Sequence, residues 1–163
     1  MEWIEGGVCA PQGFRAAGIY AGVKATAHMT AAEAANYSQE IRQGKAGLDS
    51  KFDLALIAAD TPCKAAGVFT SNLVKGAPIA VCQTHLTDGT AQAILANSGN
   101  ANTCNADGME KADAMAKAAA KALSIPADRV LVASTGVIGG PLPVEPIEAA
   151  VPALAEKLSP EGS

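Results

Sequence analysis

The sequence predicts an α/β protein of the α+β type, in which helices pack on a mixed β-sheet. The first observation is a set of short apolar runs separated by Gly, Pro, Asn and Asp, which is typical of strands and turns; the runs are residues 53–59, 67–70, 78–82 and 92–96. The connections between them are too short for a crossover helix each, which indicates that part of the sheet is antiparallel. The second observation is the helical spacing of apolar residues that begins after Asp107.

The chain before the first run is predicted to hold one strand and one surface helix. A glycine-rich opening segment indicates a loop that leads to a strand near residues 19–23. Thr30 and Glu33 have the T-x-x-E spacing of a capping box, in which each side chain bonds the backbone of the other residue, and Gly44 is a natural stop. We therefore expect a helix over residues 30–43.

The second half of the chain is predicted to contain a helix followed by a strand. Asp107 and Glu110 occupy the cap and third positions of the helix, which should end near Ser124 because Pro126 disfavours helical backbone in the residue before it. Its apolar residues recur at spacings of three and four: Ala112, Met115, Ala116, Ala119, Ala120 and Leu123. A strand over residues 129–134 follows.

A last helix is predicted near the end of the chain. Pro146 suits a first helical turn, whereas Pro152 in the interior should kink or split the helix. The apolar residues that keep helical spacing here are Ile147, Val151, Leu154 and Leu158. No internal repeat or domain boundary is evident, so we expect a single domain over residues 1–163.

Composition excludes several classes of function. A formal net charge of −4, scattered Lys and Arg, and only 4% aromatic residues provide no nucleic-acid-binding surface. No apolar run approaches the roughly 18 residues of a membrane span, and the first residues have no secretory pattern. Four cysteines lack zinc-ligand spacing: Cys9, Cys63, Cys82 and Cys104. We expect free thiols in a soluble intracellular protein, with no cofactor, metal ion, nucleic acid or membrane partner.

The remaining titratable residues suggest no catalytic centre of their own. His28 and His85 belong to no catalytic or metal motif, so surface or hydrogen-bonded positions are expected for both. Acid–base catalysis needs a buried or coupled carboxyl group, and we expect a solvated surface for the two close pairs, Asp49 with Asp53 and Glu145 with Glu148. There is no G-x-S-x-G elbow, S-x-x-K motif or nucleotide-phosphate motif.

The segment VLVASTGVIGG, residues 130–140, is the first candidate site. An apolar strand ends there in Ser134, Thr135 and Gly136. One interpretation is an oxyanion hole, since a strand end can direct the Thr135 hydroxyl and the Gly136 N–H at a single point, and glycine leaves the amide open to a substrate. The other is a plain turn or helix cap, for which Ser and Thr before Gly are common.

The segment NSGNANTCNADG, residues 97–108, is the second candidate site. Its amides and neighbouring N–H groups could bind carboxylates or polarise a carbonyl group. Asn and Gly also tolerate left-handed backbone and are frequent in ordinary turns, so both interpretations stay open. The four asparagines concerned are Asn97, Asn100, Asn102 and Asn105.

Four segments together resemble one enzyme family. They are PQGFRAAGIYAGVK at 11–24, DLALIAADTPCKAAGVFTSNLVKGAPI at 53–79, AILANSGNANTCNADG at 93–108 and VLVASTGVIGGPLP at 130–143. The chain resembles the N-terminal, or α, chain of the bifunctional ornithine acetyltransferase family of arginine biosynthesis, also called glutamate N-acetyltransferase. The resemblance covers nearly the whole chain in order, and the NSGNAN and STGVIG segments are its most specific parts.

The resemblance implies half of a two-chain, layered enzyme of the N-terminal-nucleophile type. Family members are made as a longer precursor that cleaves itself before a threonine, and the new β chain carries that threonine as the nucleophile. The threonine takes the acetyl group from N-acetylornithine and passes it to glutamate, and some members also accept acetyl-CoA. The implied partner is the β chain of the same precursor, in an α2β2 assembly.

The resemblance also assigns the site. The family's oxyanion pair falls on Thr135 and Gly136 by alignment of STGVIG, whereas the nucleophile and the other substrate contacts lie beyond Ser163. The family usually has a shorter link where this chain has residues 26–51, so we expect a surface insertion there. A divergent branch is suggested, and the expected compartment is the cytoplasm, or a chloroplast or mitochondrial matrix in a eukaryote.

Two other functions compete with acetyl transfer. An amidase or aminopeptidase with an N-terminal nucleophile would transfer the acyl group to water instead of glutamate. A non-catalytic domain that binds a small ligand through the Asn-rich segment would need no partner chain.

Overall fold

A four-stranded sheet forms the centre of the protein. The structure is a computed structural model that describes residues 5–26, 29–43, 45 and 51–162. The strands lie side by side in chain order, β1 to β4. β1 pairs with β2 and β2 with β3 in antiparallel fashion, whereas β3 and β4 are parallel. This confirms the predicted mixed sheet. The strands are β1 Phe14–Ile19, β2 Leu54–Lys64, β3 Thr90–Asn100 and β4 Val130–Val137.

Five α-helices accompany the sheet in the described part of the chain: α1 Val23–Thr26, α2 Ala31–Arg42, α3 Ala77–His85, α4 Gly108–Leu123 and α5 Val144–Glu156. The parallel pair β3 and β4 requires a crossover connection, and α4 supplies it. Because parallel strands end at the same edge of a sheet, the ends of β3 and β4 are neighbours. No helix in the described residues is long and apolar enough to cross a membrane.

The two faces of the sheet differ in burial. Strand side chains alternate between faces, and Leu56, Leu95 and Val132 point into a core that also contains Met115 and Ile147. These five side chains are almost completely removed from solvent. The opposite face carries three alanines that pair across three adjacent strands: Ala55, Ala96 and Ala133. Ala55 and Ala133 are exposed, and Ala96 is partly buried. The sheet therefore has one core face and one open apolar face.

The strand predicted near residues 19–23 lies earlier in the chain. β1 covers Phe14–Ile19, and residues 23–26 form a helical turn. Ala16 and Gly18 are small enough to pair with β2 opposite Ile57 and Ala55. A segment that looks like a glycine-rich loop thus becomes a strand because β2 supplies its hydrogen-bonding partner.

Two of the four predicted strands in the middle of the chain are wrong. Residues 67–70 are exposed and irregular, and Val68 is fully exposed. Residues 78–82 belong to α3, which has Pro78 in its first turn and buries Val81 and Cys82. A short apolar run has no period that separates a strand from a buried helix, and proline is well tolerated at a helix start.

The predicted helix ends are largely confirmed. The capping box of Thr30 and Glu33 is formed at the start of α2, and Ser124 has left-handed backbone after the end of α4; Gly44 lies outside the described residues. α5 contains Pro152 but is not split. Pro152 removes one backbone hydrogen bond, and the helix continues because its apolar side chains are anchored in the core.

Candidate functional site

The two candidate oxyanion residues lie inside β4 and not after it. The sequence predicted a strand that stops at Ser134, but the pairing with β3 continues to Val137. Thr135 pairs with Ser98, and Gly136 pairs with Gly99. The candidate pair therefore belongs to the sheet itself, at the edge where both parallel strands end.

The Thr135 side chain lies on the open face of the sheet. It is exposed, and it shares this face with Ala133 because alternate strand residues point the same way. In the described part of the chain its hydroxyl group has no hydrogen-bond partner. A cavity of about 580 Å³ on this face is lined by Thr135 together with Ser98 and Phe52. The hydroxyl group is thus free to bond a ligand.

Gly136 is a position that no other residue can occupy without distortion. Its φ of +132° is unfavourable for L-amino acids with a side chain, and a Cβ atom would lie 2.3 Å from the carbonyl carbon of Gly99. Gly99 is constrained in turn, since its φ is +116° and a Cβ there would lie 2.9 Å from Lys24 Cα. Three backbone segments therefore meet closely, and the glycines permit it.

Most of the Asn-rich segment holds loops together, and of its residues Asn97 and Ser98 line the cavity on the open face. Asn97, Asn100 and Asn102 are almost fully buried, and the amide nitrogens of these residues and of Asn105 donate to backbone carbonyl groups. The sequence left open whether these amides bind a substrate or stabilise a turn. The hydrogen bonds favour the structural interpretation.

Asp53 is the functional-site neighbour that sequence reasoning missed. It was expected on a solvated surface, but it is buried beside the open cavity, and Asp49 lies outside the described residues. Its Oδ1 accepts a 2.6 Å hydrogen bond from the Ala21 N–H. Burial raises the pKa of the Asp53 carboxyl group, and hydrogen bonds from the backbone N–H groups of residues 21–24 oppose that rise. Asp53 is the first residue of the apolar run 53–59, and that position was the available signal of its burial.

The cavity on the open face is not lined by His85, Glu145, Glu148 or any of the cysteines. His85 Nδ1 lies 2.7 Å from the carbonyl oxygen of Val130, as expected for a hydrogen-bonded histidine, and His28 lies outside the described residues. Glu148 is exposed as predicted, and Glu145 is partly exposed. All four cysteines are free thiols. Among the described residues no cluster of His, Cys, Asp and Glu has the geometry to hold a metal ion.

The arrangement suits stabilisation of a negative oxygen. A free hydroxyl group on Thr135 stands next to a backbone position, Gly136, where no side chain blocks the approach of a ligand. Donors fixed in a sheet need little reorganisation when charge develops on a carbonyl oxygen. Among the described residues that line this cavity, no nucleophile is paired with a general base.

Comparisons with known proteins agree on one family. The sequence profile of the ArgJ family matches residues 34–162. The arginine biosynthesis bifunctional protein ArgJ of Symbiobacterium thermophilum is 46% identical over 99% of this chain, and that of Gloeobacter violaceus is 44% identical over the full chain. This chain spans 35% of the length of each of these two relatives.

Solved structures give the same result. The chain is similar to ornithine acetyltransferase from Mycobacterium tuberculosis, solved in complex with ornithine, with a TM-score of 0.76 and 38% identity; the match covers 94% of this chain and 72% of that one. The ArgJ protein of Bacillus halodurans gives a TM-score of 0.74 and 32% identity, over 95% of this chain and 70% of that one.

Proposed function

This chain belongs to the ArgJ family, and from that premise we propose that it is the α chain of a glutamate N-acetyltransferase. The whole enzyme moves an acetyl group from N-acetylornithine to glutamate in the biosynthesis of arginine, and acetyl-CoA is a second candidate donor. A β chain cleaved from the same precursor supplies an N-terminal threonine as nucleophile. Thr135 and Gly136 supply the oxyanion hole.

The proposed reaction has two balanced half-reactions. The threonine hydroxyl group of the β chain attacks the acetyl carbon of N-acetylornithine, its proton goes to the leaving amine, the amide C–N bond breaks and ornithine leaves. The glutamate amine then attacks the acetyl-threonine ester to form the C–N bond of N-acetylglutamate, the ester C–O bond breaks, and the proton that the amine loses restores the threonine hydroxyl group. Each step passes through a tetrahedral intermediate whose oxygen carries a negative charge.

One observation carries this proposal: the Thr135 hydroxyl group is exposed and has no hydrogen-bond partner in the described residues, and it stands beside the exposed backbone of Gly136 on an edge strand of the sheet. An oxyanion hole needs donors that are not already used. The open face is also suited to docking a second chain, because it exposes apolar side chains. Ile94 is 39% exposed on this face, and Val137 is 52% exposed at its edge. A nucleophile held by a chain that covers this face would reach Thr135 directly.

The test is expression of the full-length precursor, followed by intact-mass analysis and product analysis. We expect two chains, the second beginning with threonine, and ornithine release that yields N-acetylglutamate when glutamate is present. Release of acetate at the same rate without glutamate would instead indicate an amidase. An uncleaved chain that binds a ligand and transfers no acetyl group would indicate the binding-domain alternative.

A further inference from the structure

The segment that follows the proposed oxyanion pair is held by side chains from a single stretch of the protein. Asn100 Nδ2 donates to the carbonyl oxygens of Gly140 and Pro141, both at 3.0 Å. Asn105 Nδ2 also donates to the Gly140 oxygen, at 2.8 Å, and Lys111 Nζ donates to the next carbonyl oxygen, that of Leu142, at 2.9 Å. Three consecutive carbonyl groups are thus bound by donors that lie between residues 100 and 111.

Backbone hydrogen bonds also join the loop after β3 to the end of β4 and the loop that follows it. The Ala101 N–H donates to the carbonyl oxygen of Val137 at 2.9 Å, and the Gly139 N–H donates to that of Thr103 at 3.0 Å. The pairing of β3 with β4 therefore continues past the strand ends into two loops. Side chains take over where the backbone pairing stops.

The two glycines at the start of the segment give its backbone conformational freedom. Gly139 has a φ of +81°, and a Cβ atom built there would have nothing within 4 Å, so this part of the segment has little packing to hold it. Gly140 adds backbone freedom, and Pro141 has no N–H to donate. The donors to its carbonyl groups therefore restrain the segment together with Leu142, which is buried in the core. Asn100 is 1% exposed, which shields its bonds from water.

Asn100 also touches the proposed oxyanion residue. Its backbone nitrogen lies 2.6 Å from the point where a Cβ of Gly136 would stand, so the two backbones are in close contact. A shift of Asn100 or of the bound segment would move Gly136. Catalytic geometry is sensitive to such shifts, since a misplacement of about 1 Å can lower the rate by about 10²-fold.

We propose that Asn100, Asn105 and Lys111 form a carbonyl clamp that positions Thr135 and Gly136 for acetyl transfer. The three are positioning residues, because they contact the segment after β4 and not the reacting atoms. This proposal rests on the function proposed for Thr135 and Gly136. It predicts that loosening the clamp lowers turnover and leaves substrate affinity nearly unchanged.

Asn100→Asp in the full-length precursor is the first test. The change keeps the side-chain oxygen that accepts from the Asn102 N–H at 2.8 Å, but it removes both donors to the bound segment. We expect kcat for acetyl transfer to fall at least roughly tenfold with KM changed less than about threefold. Hydrogen–deuterium exchange in residues 136–143 should become faster. Asn102→Asp is the matched control, since Asn102 is equally buried and donates instead to Gly108 on α4.

Lys111→Met keeps the proposal testable if Asn100→Asp fails to fold. The methionine retains the apolar part of the side chain but loses the bond to Leu142. Lys117→Met is its control: both lysines lie on α4 and pair with an aspartate four residues earlier, but Lys117 is exposed and pairs with Asp113 alone. We expect kcat to fall several-fold for Lys111→Met and to stay unchanged for Lys117→Met.

The outcomes separate this proposal from the proposed function. Normal kcat in folded, cleaved Asn100→Asp and Lys111→Met would overturn the clamp, as would a lower kcat with unchanged exchange in residues 136–143, or a change in KM alone. A wild-type precursor that transfers no acetyl group would overturn the proposed function and the catalytic part of this proposal together. The exchange measurement would still decide whether the clamp holds the segment.

Discussion

Thr135 and Gly136 are adjacent, but different physical causes fix their identities. Gly136 is required by the close approach of two backbones, so its replacement would disturb the fold before it disturbed any reaction. Thr135 is exposed and makes no side-chain hydrogen bond in the described residues, so its hydroxyl group contributes little to stability. A change at Thr135 can therefore isolate chemistry from folding.

Thr135→Val in the full-length precursor should lower kcat for acetyl transfer at least roughly tenfold, the conservative side of the range for loss of one oxyanion donor. Valine has nearly the shape of threonine, and strands favour it, so the melting temperature should be unchanged. Steady-state rates and thermal unfolding check the two expectations. Uncut precursor must be quantified first, because the same donors could assist self-cleavage. Wild-type turnover in a folded and cleaved variant would contradict the role of Thr135.

Asp53→Asn should change how stability depends on pH. Burial raises the pKa of Asp53, so the folded state binds a proton more tightly than the unfolded state does. The carboxyl group therefore favours folding at low pH, and this contribution is lost as pH rises from the ordinary carboxyl pKa through the raised one. Asparagine is always neutral and keeps an oxygen that can accept from Ala21. We expect the stability of the variant relative to wild type to increase over this pH interval.

The measurement for Asp53 is the urea midpoint at several pH values on both sides of that interval. Asp60→Asn is a suitable control, because Asp60 is an exposed residue of the same strand that pairs with Arg15 at the surface. A relative stability of Asp53→Asn that stays flat, or falls, with rising pH would show that the backbone N–H donors outweigh burial.

At the scale of single elements, α2 offers a test of local capping. The Thr30 side chain accepts from the Glu33 N–H, and Glu33 accepts from the Thr30 N–H at 2.8 Å. Thr30→Ala should lower the free energy of unfolding by about 1 kcal/mol, the usual loss for an N-cap. Thr30→Ser, which preserves the cap, should lose less than half of that. Urea unfolding of both variants checks this, and equal losses would mean that the cap is not what stabilises α2.

The elements that the sequence predicted correctly are those with local causes. The capping spacing of Thr30 and Glu33, the apolar stripe of α4 and the Pro126 stop act within a few residues. The sequence failed where a distant partner decided the outcome. β1 is a strand because β2 pairs with it, and residues 78–82 are helical although their apolar run also fits a strand. The prediction that residues 26–51 are an insertion stays untested.

The candidate site also has one part that the sequence predicted and another that depends on distant contacts. An apolar strand leading into Ser, Thr and Gly was enough to single out Thr135 and Gly136. The burial of Asp53 and the carbonyl clamp depend on which loops meet in space, and no spacing in the chain encodes that directly. One signal was available: Gly99 and Gly136 each occur near the end of an apolar strand, which is what two closely packed backbones would require.

At the scale of the whole molecule, the open face of the sheet is an unusual surface for a protein that acts alone. Two sheets commonly pack face to face through apolar residues, and large exposed apolar areas mark interaction sites. Ala55, Ile94 and Ala133 are exposed on this face, and Thr135 lies on it as well. The proposed β chain, if it covers the face, would bury these residues and place its nucleophile near the proposed oxyanion pair. The compartment expected from the sequence stays a prediction.

Ile94→Lys in the full-length precursor tests this assembly. Ile94 is 39% exposed in the isolated chain, so a lysine can be solvated there, but covering the face would bury an unpaired charge, which is strongly unfavourable. We expect the second chain to be lost from the purified α chain, or the precursor to aggregate, with acetyl transfer abolished. Thr84→Lys places the same charge on an exposed position of α3, on the other side of the sheet, and should assemble normally. Intact-mass analysis and size-exclusion chromatography compare the two variants, and a fully assembled Ile94→Lys complex would show that the second chain does not cover this face.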